Sequence, residues 1–235
     1  MTGAEAPKKE EIYFRQVLAG PMQNFVYLIG DPSTREAVIV DAAWDVGALV
    51  DRAAKDGYKI THALVTHSHP DHVGGRIGGI EIQGVADLLE RQPVKVVIHK
   101  SEADFLKRHT GVSESDLIRS EAGGLLRVGA VEITLLHTPG HTPGSQCFLA
   151  GKRLVSGDTL FIGSCGRVDL PGSDPEAMYR SLTETLLRVP DDVVLYPGHH
   201  YADRPSATMG DQKRENAFLR FRSVQDFIRF MGQGA

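Results

Sequence analysis

Short apolar runs separated by turn residues open the chain. The runs Ile12–Leu18, Asn24–Ile29 and Ala37–Asp41 are rich in β-branched and aromatic residues, and Ala19-Gly20-Pro21 and Asp31-Pro32-Ser33 lie between them. Proline and glycine favour turns, whereas β-branched residues favour strands. The pattern therefore predicts a meander of three strands.

The hydrophobic period becomes helical from Val46 onwards. Apolar residues recur at helical spacing over Val46–Asp56 and stop at Gly57, and the apolar run Ile60–Val65 then returns as a buried strand. The same criteria predict strands at Val94–Ile98, Val131–Leu136, Arg153–Val155 and Val193–Tyr196, and helices at Glu102–Arg108, Pro175–Val189 and Gln212–Phe230. They assign neither form to Arg76–Gln92, which includes Val85–Glu90. This alternation indicates an α/β protein.

Four side chains that commonly bind metals follow the strand Ile60–Val65 almost directly. They are His67, His69, Asp71 and His72. Imidazole and carboxylate together suit Zn²⁺, Fe²⁺, Mn²⁺ or Co²⁺. Because this uneven spacing cannot aim all four from one face of a helix or strand, it favours a loop that supplies two adjacent metals.

Three more potential ligands also follow apolar runs. His141, Asp158 and His199 come after the predicted strands near residues 136, 155 and 196. Ligand sites of α/β proteins gather at the edge where such strands end. We therefore expect all seven side chains to meet at one edge of the fold.

The order HxHxDH, His, Asp, His resembles that of the metallo-β-lactamase superfamily over about residues 24–201. The resemblance implies an α/β fold of the four-layer αβ/βα sandwich type, with two central mixed β-sheets flanked by helices. We expect a single domain over residues 1–235, with a short C-terminal helical extension at about 205–232.

The resemblance also implies a role for each ligand. His67, His69 and His141 would hold one divalent metal, Asp71, His72 and His199 a second, and Asp158 would bridge both. The metals would be zinc, or else iron or manganese. Such a pair makes hydroxide available at neutral pH and polarises a carbonyl oxygen, and Asp71 would help to hold the nucleophile as a catalytic residue.

Composition narrows the range of partners and compartments. The 235 residues carry a formal net charge of −4 and a pI near 6.2, which argues against a nucleic-acid substrate. No segment is apolar enough to cross a membrane, and the polar segment Met1–Glu11 lacks the apolar core of an export signal. Two cysteines, Cys147 and Cys165, are too few for a disulfide framework, so we expect a cytoplasmic protein. We interpret Cys165 as a small side chain that fills space in the core.

Three residues outside the ligand set are further candidates. Asp41 ends a strand and could accept an N–H from a metal-bound histidine, although an ordinary strand-end acid is an equal alternative. Arg167 could bind an anionic substrate, or it could pair with Asp169 or Asp174. His200 follows His199, so its side chain should diverge from the metals, but a loop could bring it to the substrate.

Two segments near Asp158 resemble particular members of the superfamily. Residues 157–161 (GDTLF) and 166–169 (GRVD) are similar to those of glyoxalase II-like hydrolases and of persulfide dioxygenases, both of which act on glutathione conjugates. The first resemblance implies attack of hydroxide on the thioester of a hydroxyacylglutathione. The second implies a single Fe²⁺ on His67, His141 and Asp158 that binds O₂ and a persulfide.

The segment after His199 does not separate these activities. Residues 200–235 are too few for the helical C-terminal domain typical of glyoxalase II, and the dioxygenases share this shortness. A lactonase is a weaker alternative, and so is a non-catalytic module that binds a partner through its aromatic C-terminal helix (Phe218, Phe221, Phe227 and Phe230). These aromatics are more often core or dimer contacts, so a homodimer is possible, and the complete ligand set favours an enzyme.

Overall fold

The apolar runs form two six-stranded sheets in a computed structural model that describes residues 12–232. The predicted polar segment Met1–Glu11 lies outside the described residues. The first sheet has the order β1-β2-β3-β4-β7-β8. Its strands are β1 Tyr13–Ala19, β2 Asn24–Asp31, β3 Glu36–Val40, β4 Lys59–Leu64, β7 Lys95–His99 and β8 Leu117–Ser120.

This sheet changes from antiparallel to parallel across its width. The pairs β1–β2 and β2–β3 are antiparallel, whereas β3–β4, β4–β7 and β7–β8 are parallel. A small hairpin of β5 (Gly75–Ile77) and β6 (Ile80–Ile82) lies between β4 and β7 in the chain. The predicted meander is therefore present, and it continues into a parallel α/β unit.

The second sheet is mainly antiparallel and has the order β16-β15-β12-β11-β10-β9. Only β12 and β15 run parallel among these neighbours in the described residues. A second hairpin joins β13 (Leu160–Phe161) to β14 (Ser164–Cys165). The strands of the sheet are β9 Leu125–Val128, β10 Val131–His137, β11 Gln146–Ala150, β12 Arg153–Gly157, β15 Val194–Pro197 and β16 Ala207–Thr208.

Seven α-helices connect and cover the sheets within residues 12–232. They are α1 Val46–Lys55, α2 Pro70–Val73, α3 Val85–Arg91, α4 Lys100–Thr110, α5 Pro175–Arg180, α6 Met209–Glu215 and α7 Val224–Gly232. None of the helices in this described part is long and apolar enough to span a bilayer.

Three buried apolar clusters hold four layers together. One packs α1, α3 and α4 on the outer face of the first sheet. The second lies between the sheets, where Tyr27 and Val40 share a cluster with Ile133 and Phe148. The third packs α5, α6 and α7 on the outer face of the second sheet. This α/β/β/α order confirms the expected αβ/βα sandwich.

The helix predicted over Gln212–Phe230 is wrong, because two helices occupy this region. Helix α6 ends at Glu215, and a 3₁₀ turn over Ala217–Leu219 separates it from α7. Asn216 leaves helical geometry and accepts a hydrogen bond from Phe218 N, while Ser223 Oγ accepts from Asp226 N at the start of α7. Asparagine and serine are favoured at helix starts. These two residues therefore indicate a new start, which the continuous hydrophobic period did not show.

The segment predicted as one helix over Pro175–Val189 also changes form along its length. Asp174 caps its start, as expected, but α5 ends at Arg180 and is followed by a π turn over Ser181–Thr185 and a 3₁₀ turn over Leu186–Arg188. The apolar residues still face the core, since Met178, Leu182 and Leu186 are fully buried. The side-chain period thus indicated the buried face but not the backbone hydrogen-bonding pattern.

Asn216 should be important for the stability of the C-terminal region. Its Nδ2 donates to the carbonyls of Phe161 and Ser164, which ties α6 to the β13–β14 hairpin. Asn216→Ala removes both of these hydrogen bonds and should lower the free energy of unfolding by about 1–3 kcal/mol in urea titrations. Gln225→Ala, at an exposed position of α7, is the matched control and should change it by less than about 0.5 kcal/mol.

Candidate metal centre

The loop after β4 and the short helix α2 carry four of the potential ligands. His67 and His69 lie in the loop, and Asp71 and His72 lie in α2, which begins at Pro70. Proline is favoured at the first position of a helix because a main-chain N–H at that position would have no acceptor within the helix. The chain therefore changes from loop to helix in the middle of the motif, and this change lets it supply two separate groups of ligands.

The first group of ligands is a histidine triad formed by His67, His69 and His141. His69 Nδ1 lies 3.1 Å from His67 Nε2 and 3.0 Å from His141 Nε2. His67 and His69 come from the first half of the chain, and His141 comes from the loop after β10. The triad therefore forms only where the two sheets meet.

The second group is a mixed triad formed by Asp71, His72 and His199. The Nε2 atoms of His72 and His199 are 3.2 Å apart, and each lies 3.3 Å from Asp71 Oδ2. His199 follows β15 in the second sheet, so this triad also spans both halves.

Asp158 lies between the two triads. Its Oδ2 is 3.7 Å from His141 Nε2 and 3.4 Å from His199 Nε2, and its Oδ1 is 3.4 Å from His72 Nε2. Within residues 12–232 nothing donates a hydrogen bond to the buried Oδ1. A buried carboxylate oxygen without a donor requires a counter-ion or another partner.

Each triad contains a histidine whose outer nitrogen is bonded to the main chain. His141 Nδ1 lies 2.9 Å from the carbonyl oxygen of Arg167, and His199 Nδ1 lies 2.9 Å from that of Met22. A carbonyl only accepts, so both Nδ1 atoms donate, and in the neutral ring the Nε2 atom carries the lone pair that a metal would bind. These lone pairs point into the cluster.

Asp41 holds two further ligands by its carboxylate. Its Oδ2 accepts from His72 Nδ1 at 2.8 Å and from the Thr66 hydroxyl at 2.6 Å, while its Oδ1 accepts from Thr66 N. The Thr66 hydroxyl, having donated to Asp41, accepts from His67 Nδ1 at 3.0 Å. Asp41 has a left-handed φ of 56°, a conformation that aspartate tolerates better than most residues.

Asn24 also belongs to the site, although the sequence analysis did not identify it. Its Nδ2 donates to Asp71 Oδ2 at 2.9 Å, and its Oδ1 accepts from the indole N–H of Trp44. Asn24 further forms an isolated β-bridge with His199. An asparagine at the start of a strand resembles an ordinary turn residue, so no local pattern distinguished it.

The electrostatics of the two triads differ. Burial, and then the ring of His141, lower the pKa of His69 to about 4, and burial lowers the pKa of His67 as well. Burial opposes protonation of His199 too, but hydrogen bonds to Asp158 and Asp71 raise its pKa to about 9. The pKa values of both carboxyl groups are lowered, against burial, by the neighbouring histidines. The first triad therefore favours neutral rings at His67 and His69, whereas the carboxylates favour the protonated form of His72 and His199 when no metal is bound.

This donor set fits divalent metals. Two nitrogens bound to one tetrahedral zinc at about 2.0–2.1 Å lie about 3.3 Å apart, close to the 3.0–3.2 Å separations found here. The outward N–H groups fix the ring orientations, as they do around bound metals. The unpaired oxygen of Asp158 supplies a further position for coordination.

Two glycines are required by the close approach of the ligand loops. A Cβ on Gly198 would lie 2.3 Å from Asp158 Oδ1, and one on Gly157 would lie 2.5 Å from Thr66 Oγ1. Gly157 also has a left-handed φ of 49°. Both positions therefore need the absence of a side chain, and Gly157 also needs the backbone freedom of glycine.

The candidate substrate residues occupy different environments. The exposed guanidinium of Arg167 pairs with Asp169 at 2.7 Å, the alternative that its sequence neighbours suggested. The ring of His200 turns away from the triads and packs against Phe25. Burial raises the pKa of Cys165 to about 12, so its thiol stays protonated at neutral pH, as expected for a filler.

Aromatic side chains stand beside the second triad. The ring of Tyr201 stacks on His199 with 4.6 Å between centroids, and its edge meets Phe161. Tyr201 is 60% exposed, so it is a side chain that solvent and ligands can reach next to the cluster. Its place directly after the His199–His200 pair was the available sequence signal.

The profile of the metallo-beta-lactamase superfamily matches residues 19–199. The chain therefore belongs to this superfamily, in agreement with its four layers and its ligand order. The match spans both sheets and every residue of the two triads.

Relatives of this chain include a hydroxyacylglutathione hydrolase and a persulfide dioxygenase. A hydroxyacylglutathione hydrolase of Rhodopseudomonas palustris is 34% identical, covering 90% of this chain and 89% of that protein. The human mitochondrial persulfide dioxygenase ETHE1 is 29% identical, covering 98% of this chain and 83% of that protein. The crystal structure of ETHE1 from Myxococcus xanthus superimposes with a TM-score of 0.79 at 31% identity, over 94% of this chain and 90% of that one.

Removal of Asp158 should reduce metal binding at both triads. Asp158→Ala deletes the carboxylate that faces His141, His72 and His199. We expect the metal content per chain to fall to half or less and turnover to be abolished, with the circular dichroism spectrum retained. Asp203→Ala, an exposed acid in a nearby loop, should keep the full metal content in the same elemental analysis.

Asp41→Asn should weaken metal binding at the second triad through His72, and at the first triad through Thr66 and His67. Asparagine tolerates the left-handed φ, but its amide cannot accept at both oxygens from His72 and Thr66 as the carboxylate does. Loss of such a partner typically costs about 10–100-fold in metal affinity. Zinc competition with a chelator measures this change, and an unaltered affinity would contradict the role of Asp41.

Proposed function

We propose that this protein is a metal-dependent hydrolase of thioesters, with glutathione thioesters such as hydroxyacylglutathione as the substrate class. The proposal rests on the geometry of the centre, which has two complete triads and a carboxylate between them. A binuclear centre is suited to hydrolysis because it supplies both a nucleophile and an electrophile.

The second triad is the observation that carries the proposal. Its three members are each held from behind, Asp71 by Asn24, His72 by Asp41 and His199 by the carbonyl of Met22. Orienting partners of this kind are expected for side chains that bind a metal. A protein that used a single metal on the first triad would not need them.

The ligand roles follow from this geometry. We assign His67, His69 and His141 to one metal, Asp71, His72 and His199 to the other, and Asp158 to both. Metals bound there would lower the pKa of water towards about 7 and polarise the thioester carbonyl.

The chain's own groups would orient the reactants. Asp71 Oδ2 lies at the centre of its triad and is fixed by Asn24, so Asp71 is suited to orient the attacking water. Tyr201, exposed beside His199, is suited to line the path of the acyl group. The leaving thiol has an ordinary pKa of about 8.5, so its departure as thiolate makes little demand for a general acid.

Persulfide dioxygenation is the second candidate. It is favoured by the similarity to the human enzyme over 98% of this chain and to the bacterial ETHE1 structure. In this case one Fe²⁺ would be bound by His67, His141 and Asp158, a set of two histidines and one carboxylate. Asp71, His72 and His199 would then form the hydrogen-bonded wall of the pocket.

One preparation can separate the two activities. The protein is purified without added metal, its Zn, Fe and Mn are quantified per chain, and the sample is assayed with S-lactoylglutathione and, for O₂ uptake, with glutathione persulfide. About two metals with thioester turnover support the hydrolase. About one iron with oxygen uptake and no thioester turnover would replace it with the dioxygenase.

Metal removal should abolish turnover without unfolding the chain. Three apolar clusters hold the layers independently of the ligands, so chelation should leave the circular dichroism spectrum in place. Readdition of metal should restore activity. Global unfolding on chelation would instead indicate a metal used for structure.

Arg167→Ala tests whether the substrate is anionic. If the guanidinium leaves Asp169 for a substrate carboxylate, the variant should raise KM several-fold, with kcat and metal content retained. Arg222→Ala, an exposed arginine near the C-terminus, is the control. An unchanged KM would remove Arg167 from the substrate site.

A further inference from the structure

Glu102 is a buried acid outside both triads. It lies in the first turn of α4 and is only 3% exposed, although α4 covers the outer face of the first sheet. Carboxylates are rarely buried to this degree unless they are paired or fully hydrogen-bonded. Its partners therefore indicate why an acid is present here.

Both oxygens of Glu102 accept hydrogen bonds from main-chain N–H groups of the ligand loops. Oε2 accepts from Ser68 N at 2.6 Å, and Oε1 accepts from Gly144 N at 2.9 Å. Ser68 lies between His67 and His69, and Gly144 closes the loop that carries His141. One carboxylate thus joins the loops that supply all three members of the first triad.

Glu102 lies very close to the loop that carries His141 and ends at Gly144. A Cβ on Gly144 would lie 2.7 Å from Glu102 Cγ, so the loop accommodates the acid only because residue 144 is glycine. The two loops come from different halves of the chain, and the Nε2 of His141 stands 3.0 Å from the Nδ1 of His69 across this junction.

We propose that Glu102 is a positioning residue that sets the spacing of the first triad and thereby selectively controls its metal affinity. This inference rests on the two-metal centre proposed above. The ligands of the second triad are held by different groups, namely Asn24, Asp41 and the carbonyl of Met22. A defect at Glu102 should therefore weaken one metal and spare the other.

The main test replaces the carboxylate with an amide of the same shape. In Glu102→Gln, the NH₂ group faces a main-chain N–H in place of an acceptor, so one loop loses its bond. Zinc is titrated against a chelator in two backgrounds, His199→Ala to isolate the first triad and His69→Ala to isolate the second. We expect Glu102→Gln to raise the zinc Kd by about tenfold or more in the first background, and by less than about twofold in the second.

Asp31 offers a matched control for a carboxylate that joins the two halves. It is 4% exposed, and its Oδ2 accepts from Ala130 N, but it lies at the end of β2 beside the start of β3, whereas the ligand loop follows the other end of the neighbouring parallel strand β4. Asp31→Asn makes the same chemical change and should lower the melting temperature without altering either zinc Kd. Equal weakening of both sites by Glu102→Gln, or equal weakening of the first site by Asp31→Asn, would overturn the proposal.

Two further variants and one exchange measurement keep the test decisive if Glu102→Gln folds poorly. Glu102→Asp is too short to reach both loops, and Gly144→Ala displaces the acid from the other side, so both should weaken the first triad alone. In the metal-free native protein, the amide hydrogens of Ser68 and Gly144 should exchange slowly with solvent. In each of these variants that folds, the same amide hydrogens should exchange faster than in the native protein. Unchanged exchange would contradict the role of Glu102, whereas absence of thioester turnover would bear only on the proposed function.

Discussion

The structure depends on a cluster of nitrogen and oxygen atoms, all of them potential metal ligands, that is held together in the protein interior. Five imidazole nitrogens and two carboxylates converge within a few ångströms, and one oxygen of Asp158 has no donor within the described residues. Such a cluster is costly to bury without a cation, because its members repel one another and have lost water. In the surrounding hydrogen bonds, Asp41 and main-chain carbonyls accept from the outer histidine nitrogens and Asn24 donates to Asp71, which keeps the inner atoms directed into the cluster.

The junction of the two sheets is where this cluster can form. The first triad takes two ligands from the loop after β4, and the second takes two from helix α2. Each triad takes its third ligand from a loop of the second sheet. The apolar cluster between the sheets fixes the distance between these loops, and Asn24 and Glu102 adjust it at the level of single atoms. Metal binding and sheet packing are therefore coupled, although the sheets have enough apolar contact to pack without the metals.

The same seven ligands can serve two chemistries. A binuclear centre favours hydrolysis, whereas a mononuclear iron on two histidines and Asp158 favours reaction with O₂. The relatives bear names of both kinds at similar levels of identity. In the function proposed here, metal occupancy of the second triad distinguishes the two activities, so the hydrogen bonds that hold its members bear directly on the choice.

The sequence by itself determined the α/β class, the strands that precede each candidate ligand and the seven side chains that meet in the cluster. Those features are local, since hydrophobic period and ligand spacing are properties of short segments. It also suggested Asp41, but it could not distinguish a strand-end acid from one that holds His72. Tertiary structure decided the groups that act across the chain: Asn24 beside Asp71, Glu102 between two loops, and the break at Asn216 that divides the last helix. Their roles arise from atoms brought together by packing, which no period or spacing along the chain records.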